Sequence, residues 1–518
     1  MTKSEANILT EFPRRSGVLL HITSLPGPYG IGEIGPHAYA FIDLLQEMGQ
    51  SLWQILPVID TGNHKSPYTT ISAFANNPLL ISFNLLVDDK LLEDSELEAL
   101  PNFTDDRVDF DSVVPARSAV LDTVCEMFDK RATKKQKSAY NLFCKKNAYW
   151  LEDYALFTAL KDAHDGAVWT DWDPEYAHCK DGAMKSARLE YKESIQRQKI
   201  VQYLFDDQWN RLRAYAHSQG IRIVGDIPIY VSHDSADVWV NQELFQLDED
   251  GIMIVQSGCP PDYFCATGQL WGNPIYSWDA HDKSGYRWWT NRLQKLYDMV
   301  DIVRIDHFNG FVKYWEVPIE SKSAQNGKWV TGPGEKIFDT LFRELGKKPI
   351  IAEDLGEAAK DATVLREKYH LPGMKILQFA FDPHELRDGC LPHQYPRNCV
   401  VYTGTHDNDT TRGWFHAEPG NAVTRTLAEI REERATVLSY LGNDESEINW
   451  DMIQMALQSN AHTSIIPLQD ILGLDSEARM NIPGTVEGNW IWRFKRNLLS
   501  DGAIERMCNL TQQSERMN

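Results

Sequence analysis

Four stretches of the chain read as apolar β-strands that end on a carboxylate: IRIVGD at Asp226, DIVRID at Asp306, PIIAED at Glu353 and Asp354, and CVVYTGTHD at Asp407. Acids gathered from separate strand ends can divide three tasks: nucleophile, proton donor, and a carboxylate that grips a distorted sugar. Glycosyl transfer through an oxocarbenium-like state needs that set. Arg304 lies two residues before Asp306, so strand alternation sends both side chains to one face, where the guanidinium can keep the carboxylate ionised for nucleophilic attack. The same dyad could also serve only to brace a barrel. Glu353 and Asp354 are adjacent and must face opposite ways. Glu353 is the better proton donor, because its companions Ile350, Ile351 and Ala352 form an apolar setting that raises a carboxyl pKa. Asp354 reads as a cap on the helix that follows. His406 and Asp407 in THDNDT could bind sugar hydroxyls, ligate a metal or stabilise a turn, and gain weight from the other acids.

Such a cluster needs parallel strands converging on one spot, and helix-like segments separate them. YRWWTNRLQKLYDMV precedes the Asp306 strand, GEKIFDTLFRELG the Glu353 strand, and EAAKDATVLREKYH the apolar run MKILQFAF. This alternation predicts a (β/α)8 barrel, whose C-terminal strand ends line the catalytic face. GVLLHITS at 17–24 and SLWQILPV at 51–58 supply the first two strands, with a helix over about 37–48 between them. At 518 residues the chain exceeds a minimal barrel. A helical subdomain inserted over approximately 87–200 and an irregular loop region over approximately 231–285 account for the excess, within one catalytic unit spanning 1–518. Long loops of that kind usually carry function.

The formal net charge of −22 argues against nucleic acid and acidic membranes as partners, since phosphate binding needs clustered Lys and Arg. The eight cysteines show no CxxC or Cys/His spacing for zinc and read as reduced thiols. No apolar leader precedes Gly17 and no run approaches a membrane span, so a cytoplasmic protein is expected. Gly30, Gly32 and Gly35 spell GxGxxG, but the proline-broken loop from Ser24 to Pro28 is too long for the tight turn of a dinucleotide fingerprint. A shaped loop at the barrel mouth is the better reading.

Two glycine- and proline-rich loops, HKSPYTTISAFANNP and GCPPDYFCATGQLWGNP, carry Tyr68, Tyr263, Phe264 and Trp271. Sugar rings present C–H faces that stack on such aromatics. From about Arg14 to Phe494 the chain resembles the 4-α-glucanotransferases of glycoside hydrolase family 77. The blocks that carry the resemblance are SGVLLHITSLPGPYGIGEIG, SPYTTISAFANNP, GDIPIYVSHDSADVW, PPDYFCATGQLWGNPIY, VRIDHF, IAEDLG, TGTHDNDT and SEARMNIPGTVEGNWIWRF. The resemblance implies Asp306 as nucleophile, Glu353 as acid/base and Asp407 as transition-state stabiliser. It places Tyr68, Asp226, Arg304 and His406 around the donor sugar and Trp271 under a stacked ring, with Tyr263 and Phe264 on a loop covering the acceptor side. His307, in the VRIDHF block, joins this substrate-binding set. It further implies no cofactor, no metal and no separate C-terminal β-domain. Donors would be α-1,4-glucans and maltooligosaccharides, and acceptors glucose or another maltooligosaccharide. Asn309 departs from the family pattern, which often has Arg there. An α-glucan hydrolase with the same acids, a metal-dependent barrel enzyme holding Mg²⁺ on them, and a non-catalytic glucan-binding protein remain rival readings.

Overall fold

The computed structural model describes residues 14–262, 265–356, 359–382, 391–418, 426–442 and 444–517. Its strands are β1 (Arg15–Leu19), β2 (Leu52–Gln54), β3 (Arg222–Ile227), β4 (Val255–Cys259), β5 (Gln269–Pro274), β6 (Ile302–Ile305), β7 (Lys313–Pro318), β8 (Lys328–Thr331), β9 (Ile350–Ala352), β10 (Gly373–Ile376), β11 (Cys399–Tyr402) and β12 (Thr463–Pro467). Eight of them close a barrel in the order β1-β12-β11-β10-β9-β6-β3-β2, and every neighbouring pair is parallel. Strands covered on both faces need apolar residues on both. β11 and β12 are accordingly buried at every position. Between strands run the helices the sequence predicts. In helix Glu335–Leu345, Ile337, Phe338 and Leu341 lie on one stripe and are buried against the barrel, as the helical period requires.

The boundaries differ from expectation in instructive ways. The first strand stops at Leu19, and Ile22–Ser24 is a 3-10 turn closed by Leu25 N–H donating to Ile22 O. Of the GxGxxG glycines, Gly32 packs on that turn, where a Cβ would fall 1.8 Å from Ile22 O. Long helices Phe110–Arg131, Lys134–Ala163 and Lys192–Ser218 occupy the first insertion. A buried ion pair, Arg117 Nη1 to Glu33 Oε1 at 2.8 Å, ties them to the loop after β1. The region expected to be irregular, 231–285, instead holds β4 and β5, and these join β7 and β8 in a four-stranded antiparallel sheet of order β5-β4-β7-β8. Its middle pairing joins β4 to β7 across β6, a non-local contact that no local periodicity announces. Among the described residues no helix is long and apolar enough to cross a membrane.

Asp354, read from the sequence as a helix cap, makes contacts across a barrel seam. The β9–β10 ladder has one register pair, Gly373 with Ala352. Asp354 reinforces that seam by accepting from Met374 N–H at 2.9 Å and pairing with Arg366 Nε at 2.9 Å. Room for this carboxylate depends on Gly373, where a Cβ would fall 2.5 Å from Asp354 Oδ2. Gly373→Ala should therefore cost about 1–3 kcal/mol and lower the melting temperature. Gly182→Ala, in helix Asp181–Glu190 with no atom within 4 Å of the new carbon, should leave it unchanged or slightly higher. Equal melting temperatures for the two variants would show that the seam does not depend on this close approach.

Candidate active site

Strand pairing builds the centre of the site. β3 and β6 are adjacent, with Asp226 in register with Arg304. The guanidinium lies between two acids, its Nη1 2.6 Å from Asp226 Oδ2 and its Nη2 3.0 Å from Asp306 Oδ1. Asp226 has no exposed side-chain surface, whereas the Asp306 side chain is 28% exposed. Burial pushes the Asp226 carboxyl above its usual range, opposed by Arg304 and by the Tyr68 hydroxyl, which donates to Asp226 Oδ2 at 2.7 Å. Asp226 is thus placed to hold Arg304 and Tyr68, while Asp306 faces a groove of about 1950 Å³. Tyr68, Trp271, Glu353, Asp407 and Trp490 line the same groove.

Glu353 follows β9 directly. Its Oε2 accepts from His307 N–H at 2.8 Å and its Oε1 from Leu355 N–H at 2.9 Å. His307 can aim its amide this way because its backbone is left-handed, with φ 49° and ψ 49°. A non-glycine residue in that conformation carries roughly 1–2 kcal/mol of strain. Burial first and the charge of Asp306 second push the Glu353 carboxyl up to about 7, against the pull of Arg304 and the two amides. Burial also lowers the His307 imidazole to about 4, leaving it neutral beside Trp271, whose ring meets it edge-on at 4.9 Å. Trp271 sits on β5, within 6.1 Å of the Tyr230 ring.

On the opposite wall, His406 Nε2 lies 3.3 Å from Asp407 Oδ2. Burial works against the Asp407 charge, but His406 and Asn481 outweigh it and hold the carboxyl down at about 2. Burial likewise disfavours the His406 imidazolium, and Asp407 more than compensates, raising its pKa. The Tyr68 ring stacks on His406 at 5.1 Å and 19°, and Trp490 packs within 5.8 Å of both. Tyr263 and Phe264 lie outside the described residues. Just before them, Asp262 Oδ1 accepts from Cys265 N–H at 2.8 Å.

Several participants were not singled out from the sequence. Asn481 Nδ2 donates to Asp407 Oδ1 at 2.6 Å, and Arg479 donates to both Asp407 O and Asn481 O. These residues and Trp490 belong to the SEARMNIPGTVEGNW segment, whose glycine- and proline-rich run after the last strand is the available signal. Asn309 is buried, and its amide donates to Leu355 O, bracing the residue whose own N–H holds Glu353.

The family model for 4-alpha-glucanotransferase, glycoside hydrolase family 77, matches residues 20–499. The chain belongs to the 4-alpha-glucanotransferase family. It is 45% identical to the 4-alpha-glucanotransferase of Synechocystis sp. over 96% of this chain and 97% of that one. It is 42% identical to the 4-alpha-glucanotransferase of Thermus thermophilus, over 98% and 100% respectively. The amylomaltase of Streptococcus agalactiae in complex with acarbose superposes with a TM-score of 0.91 at 37% identity, covering 98% of this chain and all of its own. The family match takes in every segment that carries a site residue, from Tyr68 to Trp490.

Because Asp306 helps keep the proton on Glu353, Asp306→Asn should lower the Glu353 pKa without changing its burial. Carbon-13 carboxyl NMR or infrared difference spectroscopy reads this directly. An unchanged titration in a folded variant would mean that the two acids do not sense each other.

Proposed function

We propose that Asp306 is the nucleophile, Glu353 the acid and base, and Asp407 the sugar-gripping carboxylate of a retaining 4-alpha-glucanotransferase. This enzyme moves a segment of α-1,4-glucan from a donor maltooligosaccharide to the 4-hydroxyl of glucose or of another maltooligosaccharide. The observation that carries the assignment is the split of ionisation among acids that share one groove. Glu353 is pushed up to about 7 while Asp407 is held at about 2. A group near 7 can still hold the proton a leaving sugar needs, and one near 2 stays charged beside a cationic ring.

In the first step Glu353 gives its proton to the glycosidic oxygen while an Asp306 oxygen bonds to the anomeric carbon. The carbon–oxygen bond breaks, the reducing-end fragment leaves as an alcohol, and the non-reducing segment stays as an ester on Asp306. Glu353, now a carboxylate, removes the proton from the acceptor 4-hydroxyl as that oxygen displaces Asp306. Two inversions restore the α linkage. The carboxylates and the sugars supply every proton and electron pair in these steps. His307, neutral at ordinary pH, offers hydrogen-bonding capacity without adding a charge that would pull the Glu353 proton away. Sugar outcompetes water where the aromatic side chains that line the groove, Tyr68 on the donor side with Trp271 and Trp490, shield the ester, and this favours transfer over the hydrolysis that the same acids could perform. A cytoplasmic location suits the seven described cysteines, which are free thiols.

Incubation with maltotriose tests the reaction. Transfer yields glucose together with longer maltooligosaccharides, whereas glucose and maltose alone would mark a hydrolase. Asp306→Asn should reduce transfer by about 10⁴-fold or more with an unchanged melting temperature. Glu353→Gln should still be attacked by α-glucosyl fluoride, whose leaving group needs no proton, and mass spectrometry should find the sugar on Asp306. Modification of a different carboxylate would overturn the assignment of the nucleophile.

A further inference from the structure

The small sheet beside the barrel carries a feature that the three-acid chemistry does not use. Leu270 on β5 is in register with Gly258 on β4, Gly258 with Trp315 on β7, and Trp315 with Trp329 on β8. Residues in register across a sheet project to the same face. Leu270, Trp315 and Trp329 therefore form one apolar row, with Gly258 adding no side chain between them. Trp271, next to Leu270, points to the other face, toward His307 and Tyr230.

The row is fixed rather than loose. Trp315 Nε1 donates to Ala324 O at 2.7 Å, and the Trp315 and Trp329 rings meet edge-to-face with centroids 5.1 Å apart and planes at 70°. Despite that packing, Leu270 and Trp329 are each 37% exposed, and both line the groove that holds Asp306, Glu353 and Asp407. A single exposed hydrophobic residue on a protein surface needs no explanation. Two large ones at the ends of one braced row, open to the same groove as the reacting acids, do.

We infer that this row is a remote α-glucan subsite, in which a sugar ring of a long chain stacks on Trp329 while the reacting bond lies at Asp306. Continuity with the catalytic groove identifies the occupant, since Leu270 and Trp329 line the same groove as Asp306, Glu353 and Asp407. Sugar C–H faces suit an exposed indole. Leu270 and Trp329 are three strand spacings apart, roughly 14 Å, so a chain lying over Leu270 needs several further rings to reach Trp329. The subsite presupposes the glucan-transferring reaction and adds to it a preference for length.

The test compares transfer kinetics on maltotriose and maltoheptaose for the wild type, Trp329→Ala, Trp329→Phe and Leu270→Ser. Trp329→Ala should raise KM for maltoheptaose roughly three- to tenfold and leave maltotriose kinetics and melting temperature unchanged. Trp329→Phe should restore most of the loss, and Leu270→Ser should show a smaller effect of the same kind. Equal effects on both substrates, or none on either, would overturn the subsite. Calorimetric titration of maltoheptaose into Asp306→Asn, with and without Trp329→Ala, keeps the two proposals apart. Binding that weakens with Trp329→Ala supports the subsite even if the wild type fails to transfer, and that failure would count against the transferase reading alone.

Discussion

One buried cation organises this site. Arg304 is 3% exposed and lies between Asp226 and Asp306, on two neighbouring strands of the barrel. Removing one partner of a buried, hydrogen-bonded ion pair typically costs about 3–5 kcal/mol, because a charge is left without compensation. Asp226 and Arg304 therefore stand or fall together, whereas Asp306, 28% exposed, can lose its charge and leave Arg304 paired with Asp226. From Asp226 the contact chain runs to the Tyr68 hydroxyl, from the Tyr68 ring to His406, and from His406 to Asp407. Acids contributed by strands far apart in sequence are thereby held in one constellation through side chains that themselves have little freedom.

Glu353 belongs to this group by position and is set apart from it by environment. Asp407 has a histidine and an asparagine as partners, and they hold its charge. Glu353 has two backbone amides, which favour its anion, but also near-complete burial and the Asp306 charge, which favour its protonated form more strongly. Two carboxylates can thus take opposite roles in one cleft. The structures that hold Glu353 are local: the left-handed His307, the Asn309 brace on Leu355, and the Asp354 seam to β10 immediately beyond.

The chemistry was easier to read from the sequence than the architecture around it. Asp226, Asp306 and Glu353 announce themselves because a buried apolar run ending in an acid is a short-range pattern, whereas the strand read as ending at Asp407 stops at Tyr402 and leaves that acid five residues beyond it. The VRID spacing places Arg304 beside Asp306 without further information. The last barrel strand, Thr463–Pro467, has five residues and ends on no acid, so it escapes the same reading. The four-stranded sheet escapes it too, because its β4–β7 pairing joins segments on either side of a barrel strand. Asn481 was hidden for a related reason: its contact with Asp407 spans 74 residues. What local periodicity can show is what local chemistry dictates, and the long-range pairings appear only once the chain is folded.

The central claim is that Glu353 still carries its proton up to about pH 7 while Asp407, held down at about 2, is charged. The direct measurement is the pH dependence of kcat/KM for transfer from maltotriose. A carboxyl raised to about 7 carries its proton below that pH and loses it above. The rate should therefore be sustained on the acid side of neutrality and fall about tenfold per unit on the alkaline side. A kcat/KM that stays constant from about pH 6 to about pH 9 would contradict the account, because the proton donor could not then be a group with the environment of Glu353.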